Sequence, residues 1–148
     1  MLKSIEGNFD HLEVNELLTK HFIELRAASP EGSAHVLDIP GLKISSIKFW
    51  SLWENEKLLG CGALKFLDNS HGEFKSIRVH DNFRGKGNGI KVIEHLIEEA
   101  IKLNIKKISI ETGAGEFFKP ARKLFEKCHF KHCEPFAHYK EDINSWYL

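Results

Sequence analysis

The run Arg84-Gly85-Lys86-Gly87-Asn88-Gly89 sets three glycines at alternate positions, interleaved with two basic side chains. Before it, Gly72 to His80 (GEFKSIRVH) has the composition of a strand, and after it Ile90 to Leu103 has the periodicity of an amphipathic helix. Glycines at the mouth of a helix leave a concave row of backbone N–H groups. That row lies at the positive end of the helix dipole, where a phosphate or pyrophosphate binds well. Arg84 and Lys86 add positive charge. The chemistry proposed by Arg84, Gly85, Lys86, Gly87, Asn88 and Gly89 is therefore the cradling of a phosphorylated cofactor.

The elements that must position this loop read as follows. Leu2 to Glu6 is a short strand, and His11 to Ala28 a helix with Leu18, Phe22 and Leu25 on one face. Ser29-Pro30-Glu31-Gly32-Ser33 breaks the helix, and Ala34 to Ser46 holds at most a short helix interrupted by Pro40-Gly41. Ile47 to Glu54 and Lys57 to Leu67 pair across a turn at Asn55-Glu56, and a second turn at Asp68 to Gly72 leads into the strand before the loop. The helix after the loop offers Ile93, Leu96, Ile97, Ala100 and Ile101 to a core. Lys106 to Glu111 is a buried strand, Phe117 to Lys127 a helix with Pro120 in its first turn, and Phe130 to Leu148 has room for two more strands. The fold class is thus α/β, with a mixed sheet of α+β type: an antiparallel meander followed by a β-α-β crossover, in the order β-α-α-β-β-β-α-β-α-β-β.

Composition bounds the function. The chain has 148 residues, 42% hydrophobic and 28% charged, with a formal net charge of zero. That is the length of a single domain, residues 1–148, with a real core. Zero net charge argues against a nucleic-acid partner, and no apolar run approaches the ~18 residues of a membrane span. The N-terminal residues lack the apolar core of a signal peptide, and three cysteines do not suggest a disulfide framework. A cytoplasmic, reduced protein is the expectation.

The glycine spacing is not that of a dinucleotide fingerprint, and no lysine–serine pair follows as in a phosphate-binding loop of the nucleotide triphosphatases. Arg84-x-x-Gly87-x-Gly89 instead resembles the acetyl-CoA pyrophosphate loop of the GNAT superfamily of N-acetyltransferases, and the element order matches that fold over essentially the whole chain. The segments Glu24 to Glu31 (ELRAASPE) and Leu59 to Lys65 (LGCGALK) also look like a bacterial group of small GNAT proteins. The resemblance implies direct transfer of an acetyl group from acetyl-CoA to an amine, with no acyl-enzyme. It implies that Ile77, Arg78 and Val79 pair with the pantetheine arm as an added strand. The Val79 backbone N–H would then polarise the thioester carbonyl, a contribution of roughly 3–4 kcal/mol where such donors have been tested.

In histone-type members of the superfamily a glutamate six residues before that position is the general base, which here is Glu73. Strand alternation predicts Glu73, Lys75, Ile77 and Val79 on one face. Glu111 is a rival base or an anchor for a cationic substrate. Many GNAT enzymes carry a tyrosine general acid in a Leu-Tyr-Glu-Lys-x-Gly-Phe run; this chain reads Leu124-Phe125-Glu126-Lys127-Cys128-His129-Phe130. Phe125 keeps the ring packing beside the cofactor and removes the proton donor, so either another group supplies the proton, or the thiolate leaves unprotonated, or activity is weak; Tyr139 is the leading substitute, with Cys128 and Ser109 behind it. Cys128-His129-x-x-His132-Cys133 has neither CxxC nor HxxxH spacing, and no metal site is assigned. Arg26, Glu31, His35, Trp50 and Trp53 are candidates to line the acceptor cleft. The acceptor is expected to be a small-molecule amine, and a homodimer through C-terminal strands is one arrangement seen among relatives. A non-catalytic acyl-CoA-binding module stays open as the alternative, because of Phe125.

Overall fold

The computed structural model describes residues 2–29, 35–85, 87–113, 115–137, 139 and 145–148. The chain runs through β1 (Leu2–Glu6), α1 (Leu12–Ala28), α2 (Ile39–Leu42), β2 (Ile47–Glu54), β3 (Lys57–Phe66) and β4 (His71–Val79). It continues through α3 (Asn88–Lys102), β5 (Lys107–Gly113), α4 (Lys119–Lys127) and β6 (Ser145–Tyr147). The strands lie side by side in chain order. β1 to β4 pair antiparallel, β5 joins β4 in parallel after the α3 crossover, and β6 is antiparallel to β5.

Local chemistry sets the boundaries. The His11 ring caps α1 by accepting from the Glu13 N–H at 3.2 Å. Asn55 and Glu56, at φ 51° and 66°, form the two-residue hairpin turn between β2 and β3. Pro40 and Gly41, expected to break a helix, lie inside α2. The proline sits in the first turn, where its missing N–H is not needed, and Asp38 caps the Gly41 N–H at 2.9 Å.

The two faces of the sheet carry separate cores. On one, Leu52, Leu59, Leu64 and Phe74 pack beneath Val92, Ile93 and Leu96 of α3 and Phe125 of α4. On the other, Phe49, Leu58, Cys61 and Ala63 lie beneath Val14, Leu17 and Leu18 of α1 and Leu42 of α2. Each fully buried Val, Leu or Ile contributes about 1.5–3 kcal/mol, so the α3 stripe outweighs the cost of nucleating that helix. Ile101, placed on the stripe by its spacing, is instead 63% exposed, because Ala100 takes the inward position of that turn.

Two irregularities shape the centre of the sheet. Between the pairs Ala63–Lys75 and Cys61–Arg78, two residues of β4, Ser76 and Ile77, stand opposite Gly62 alone. Ser76 takes φ 53°, the left-handed region, in this β-bulge. The bulge reverses the alternation expected from the sequence. Ile77 and Val79 pack with Phe74 on the α3 core, whereas Arg78 faces α1 and pairs with Glu24 at 3.1 Å. Glu73, Lys75, Ile77 and Val79 therefore do not share one face. The second irregularity is a divergence. The β4–β5 ladder closes from His71–Lys107 to Phe74–Ile110 and then stops, while β5 goes on to pair with β6 from Glu111–Tyr147 to Gly113–Ser145.

Of the two strands expected after Phe130, β6 is one. The described residues from Phe130 to Ala137 form none, and Cys133 reaches β6 through a single backbone bond to the Tyr147 carbonyl at 2.9 Å. Residues 140–144 lie outside those described. Among the described residues, no helix is long and apolar enough to cross a membrane.

A Cβ built at Gly62 would lie 2.3 Å from Leu96 Cδ1. Gly62→Ala should cost about 1–3 kcal/mol in urea unfolding through overpacking. In a Leu96→Ala background the same change should cost markedly less, a coupling that a double-mutant cycle measures. His21, buried on α1, has its pKa lowered from 6.5 to about 3, first by burial and then by repulsion from Arg78 and Arg84. The unfolded chain takes a proton near 6.5 that the folded chain refuses until about 3, so the stability from neutral His21 is full above 6.5 and is lost as pH falls towards 3. His21→Leu should flatten unfolding stability across that window.

Candidate active site

Where β4 and β5 part, a cleft of about 630 Å³ opens between their edges. α1 and the segment from His35 to Leu37 form one wall, and the start of α3 together with α4 the other. Glu73, Ile77, Arg78, Val79, Arg84, Gly85, Gly87, Gly89 and Phe125 all line it. The divergence thus gathers most of the residues selected from sequence.

At one end the loop before α3 forms a backbone cradle. Gly85 and Gly87 take φ 79° and 78°, and a Cβ at either would meet no atom within 4 Å. Gly87 is the N-cap of α3, and no side chain caps the helix. The Asn88 N–H bonds to the Gly85 carbonyl at 3.2 Å, which leaves Gly89 and Ile90 to offer first-turn N–H groups at the cleft. Open space, left-handed glycines and an uncapped helix start fit a pyrophosphate. The Asn88 amide is turned inward and donates to the Phe83 carbonyl at 2.7 Å, so its side chain holds the loop rather than a ligand. Gly89 also serves packing, since a Cβ there would lie 2.7 Å from Leu124 of α4. Arg84 pairs with Asp81 at 3.3 Å and keeps 54% of its side chain exposed. Lys86 lies outside the described residues.

Along β4, the His80 N–H donates to the Leu59 carbonyl of β3 at 2.8 Å. Peptide groups alternate along a strand, so the Val79 N–H points to the opposite edge, where β5 has left. Ile77 packs on the α3 core. The Arg78 guanidinium is committed to Glu24 and Asp81, each at 3.1 Å. Asp81 is held down to about 2, first by the hydrogen bond from Lys20 and then by Arg78, with burial opposing both.

At the other end sits a buried acid–base cluster. Glu73 is 1% exposed. Its Oε2 accepts from the Tyr139 hydroxyl at 2.5 Å and lies 3.3 Å from Lys75 Nζ, which itself donates to the Tyr139 oxygen at 2.9 Å. Burial, and then the charge of Glu73, push the Tyr139 hydroxyl far above its ordinary pKa, so it is a neutral donor. Glu73 Oε1 has no hydrogen-bond partner among the described residues. The buried side-chain atoms in that condition are His21 Nδ1, Glu73 Oε1, Ser76 Oγ, Arg78 Nε and His95 Nε2, and all except His95 belong to cleft-lining residues.

The remaining candidates separate. Phe125 is buried at the cleft wall, edge-on to Phe130. Glu111 lines the cleft from β5, whereas the Ser109 hydroxyl is bound by His71 Nε2 at 2.8 Å. Cys128 lies outside the lining; Tyr139 is not itself a lining residue, but its hydroxyl meets two that are, Glu73 and Lys75. His35 lines the cleft and meets the Tyr139 ring edge-on. Trp50 is in the core, Trp53 packs on the α1 side, and Arg26 lies over the Phe22 ring, so none of the three lines the cleft. Glu31 is outside the described residues. Sequence reasoning missed Lys75 and His21. A lysine two residues from Glu73 was on view as its same-face neighbour, and His21 stood one turn beyond Leu17 and Leu18 on an apolar helix face.

The acetyltransferase (GNAT) family profile matches residues 13–130. An uncharacterised N-acetyltransferase of Bacillus subtilis, YsnE, is 45% identical over 92% of this chain and 90% of its own length. YedL of Escherichia coli, also an uncharacterised N-acetyltransferase, is 38% identical over 93% and 87%. A solved GNAT family acetyltransferase from Elizabethkingia anophelis with acetyl-CoA bound superposes with a TM-score of 0.68 at 18% identity, covering 99% of this chain and 97% of that one. With the cleft, the cradle and these matches together, the chain belongs to the GNAT acetyltransferase family and is an acetyl-CoA-dependent acyltransferase.

Proposed function

We propose that this protein, working as one domain, transfers the acetyl group of acetyl-CoA directly to a primary amine on a small molecule. The observation that carries the reading is Glu73: a carboxylate buried at the cleft, with one oxygen held by Tyr139 and Lys75 and the other without a partner among the described residues. A cleft of about 630 Å³ is also within the range of small-molecule sites.

Acetyl-CoA brings an acetyl group activated as a thioester. Gly85, Gly87 and Gly89, with the N-terminus of α3, hold the pyrophosphate, and the Ile77–Val79 edge holds the pantetheine arm. Val79 N–H donates to the carbonyl oxygen on which negative charge develops. Glu73 Oε1 accepts the proton of the incoming amine, and Tyr139 supplies the proton that the departing sulfur needs in place of the hydroxyl absent at Phe125. Bound between fixed groups, amine and carbonyl meet without the entropy cost of a bimolecular encounter.

Calorimetry with acetyl-CoA, followed by thiol release against a panel of amines, tests the whole reading; binding with no acceptor-dependent release across amino acids, amino sugars and polyamines would overturn it. Glu73→Gln should lower kcat by about 10²-fold or more with acetyl-CoA affinity little changed, because the variant keeps the shape and loses the base. Gly87→Val should weaken acetyl-CoA binding by at least about tenfold in calorimetry, since a branched side chain both strains the left-handed φ and fills the cradle.

A further inference from the structure

Lys75 is the element of the site that the assigned roles leave unused. Its side chain is 9% exposed, and its ammonium touches both members of the acid–base pair: Tyr139 oxygen at 2.9 Å and Glu73 Oε2 at 3.3 Å. Burying a lysine is costly unless its charge is compensated. Glu73 compensates it in the resting site. The contact with Tyr139 is closer, and that residue is neutral at rest.

We propose that Lys75 is a positioning residue of the acid–base pair, its ammonium placed to stabilise first the Glu73 carboxylate and then the Tyr139 oxyanion as the proton moves. This rests on Glu73 as the base and Tyr139 as the acid. The steps balance as follows. The amine nitrogen bonds to the acyl carbon and loses its proton to Glu73 Oε1. The C–S bond breaks, and its electron pair leaves with sulfur. The Tyr139 O–H then gives its proton to sulfur. Negative charge has moved from Glu73 to Tyr139, and the ammonium is already in contact with both. The site resets when the Glu73 carboxyl turns and returns its proton to Tyr139 across their hydrogen bond, so that the amine's proton ends on the thiol.

The same geometry couples the two acids. While Glu73 is charged, Tyr139 donates to a carboxylate and is a poor acid. Once Glu73 has accepted a proton, that charge is gone, and the Lys75 ammonium stays in contact with the Tyr139 oxygen, with Glu111 and Tyr147 the other titratable groups acting on it.

Two tyrosines in the chain make a direct test practical. With ¹³Cζ-labelled tyrosine, and Tyr147→Phe to assign the signals, the Tyr139 titration is followed by NMR in Glu73→Gln and in Glu73→Gln/Lys75→Met. The double variant leaves no unpaired buried charge, so it separates coupling from misfolding. The expected result is a Tyr139 midpoint at least about one pH unit higher when Lys75 is removed. In turnover, Lys75→Met should lower kcat by about tenfold or more with KM for both substrates within about twofold, and Lys75→Arg should restore most of it. An unmoved Tyr139 midpoint, or a Lys75→Met loss carried by KM and not recovered by arginine, would overturn the inference. The NMR reading needs neither acetyl-CoA nor acceptor, so its failure is distinct from failure of the transferase reading.

Discussion

The parallel ladder between β4 and β5 is made from His71 to Phe74 and from Lys107 to Ile110, and then it is not made. The cleft opens at that interruption. An edge left open on β4 exposes peptide groups that a sheet would otherwise consume, and it does so between two faces that are already packed. The cost is offset because β5 finds β6 as a new partner and because α3 seals the β4 side with Val92, Ile93 and Leu96. The bulge at Ser76 cooperates with the divergence. One inserted residue sends Ile77 and Val79 to the α3 core and keeps Glu73 and Lys75 on the other face, so that the carboxylate and the backbone donor approach the cleft from different sides.

The two ends of the cleft use opposite electrostatic solutions. At the loop, charge is handled by the backbone: glycine N–H groups and a helix N-terminus, with Arg84 reaching Asp81 and solvent. These groups need no desolvated side-chain charge. At Glu73 and Lys75, charges of opposite sign are buried in contact with each other and with a hydroxyl. Arg78 forms a third arrangement, a buried cation tied to Glu24 of α1 and to Asp81 beside the loop, and so joins the helical wall to the cradle.

Phe125 has a structural place independent of any hydroxyl: it fills the α4 side of the core against Phe130. The tail meanwhile brings a hydroxyl, that of Tyr139, to Glu73.

Local patterns in the chain determined the element order as far as α4, the hairpin at Asn55-Glu56 and the glycine loop before α3, because turns, caps and helix periodicity depend on residues within a few positions of one another. The resemblance to the GNAT pattern, and not local periodicity, singled out Glu73, Val79 and Phe125 as expected site residues. Where the sequence erred, the cause was a non-local interaction. Nothing in GEFKSIRVH announces that Ser76 will bulge; the bulge is defined by its register against Gly62 across the ladder. The absence of Trp50 and Trp53 from the cleft was decided by the sheet order, which places β2 two strands away from the β4–β5 gap. Lys75 could be read only as a same-face neighbour of Glu73, since its significance comes from Tyr139, 64 residues along the chain. Contacts of that separation are set by how the sheet and the tail pack, and only the folded molecule specifies them.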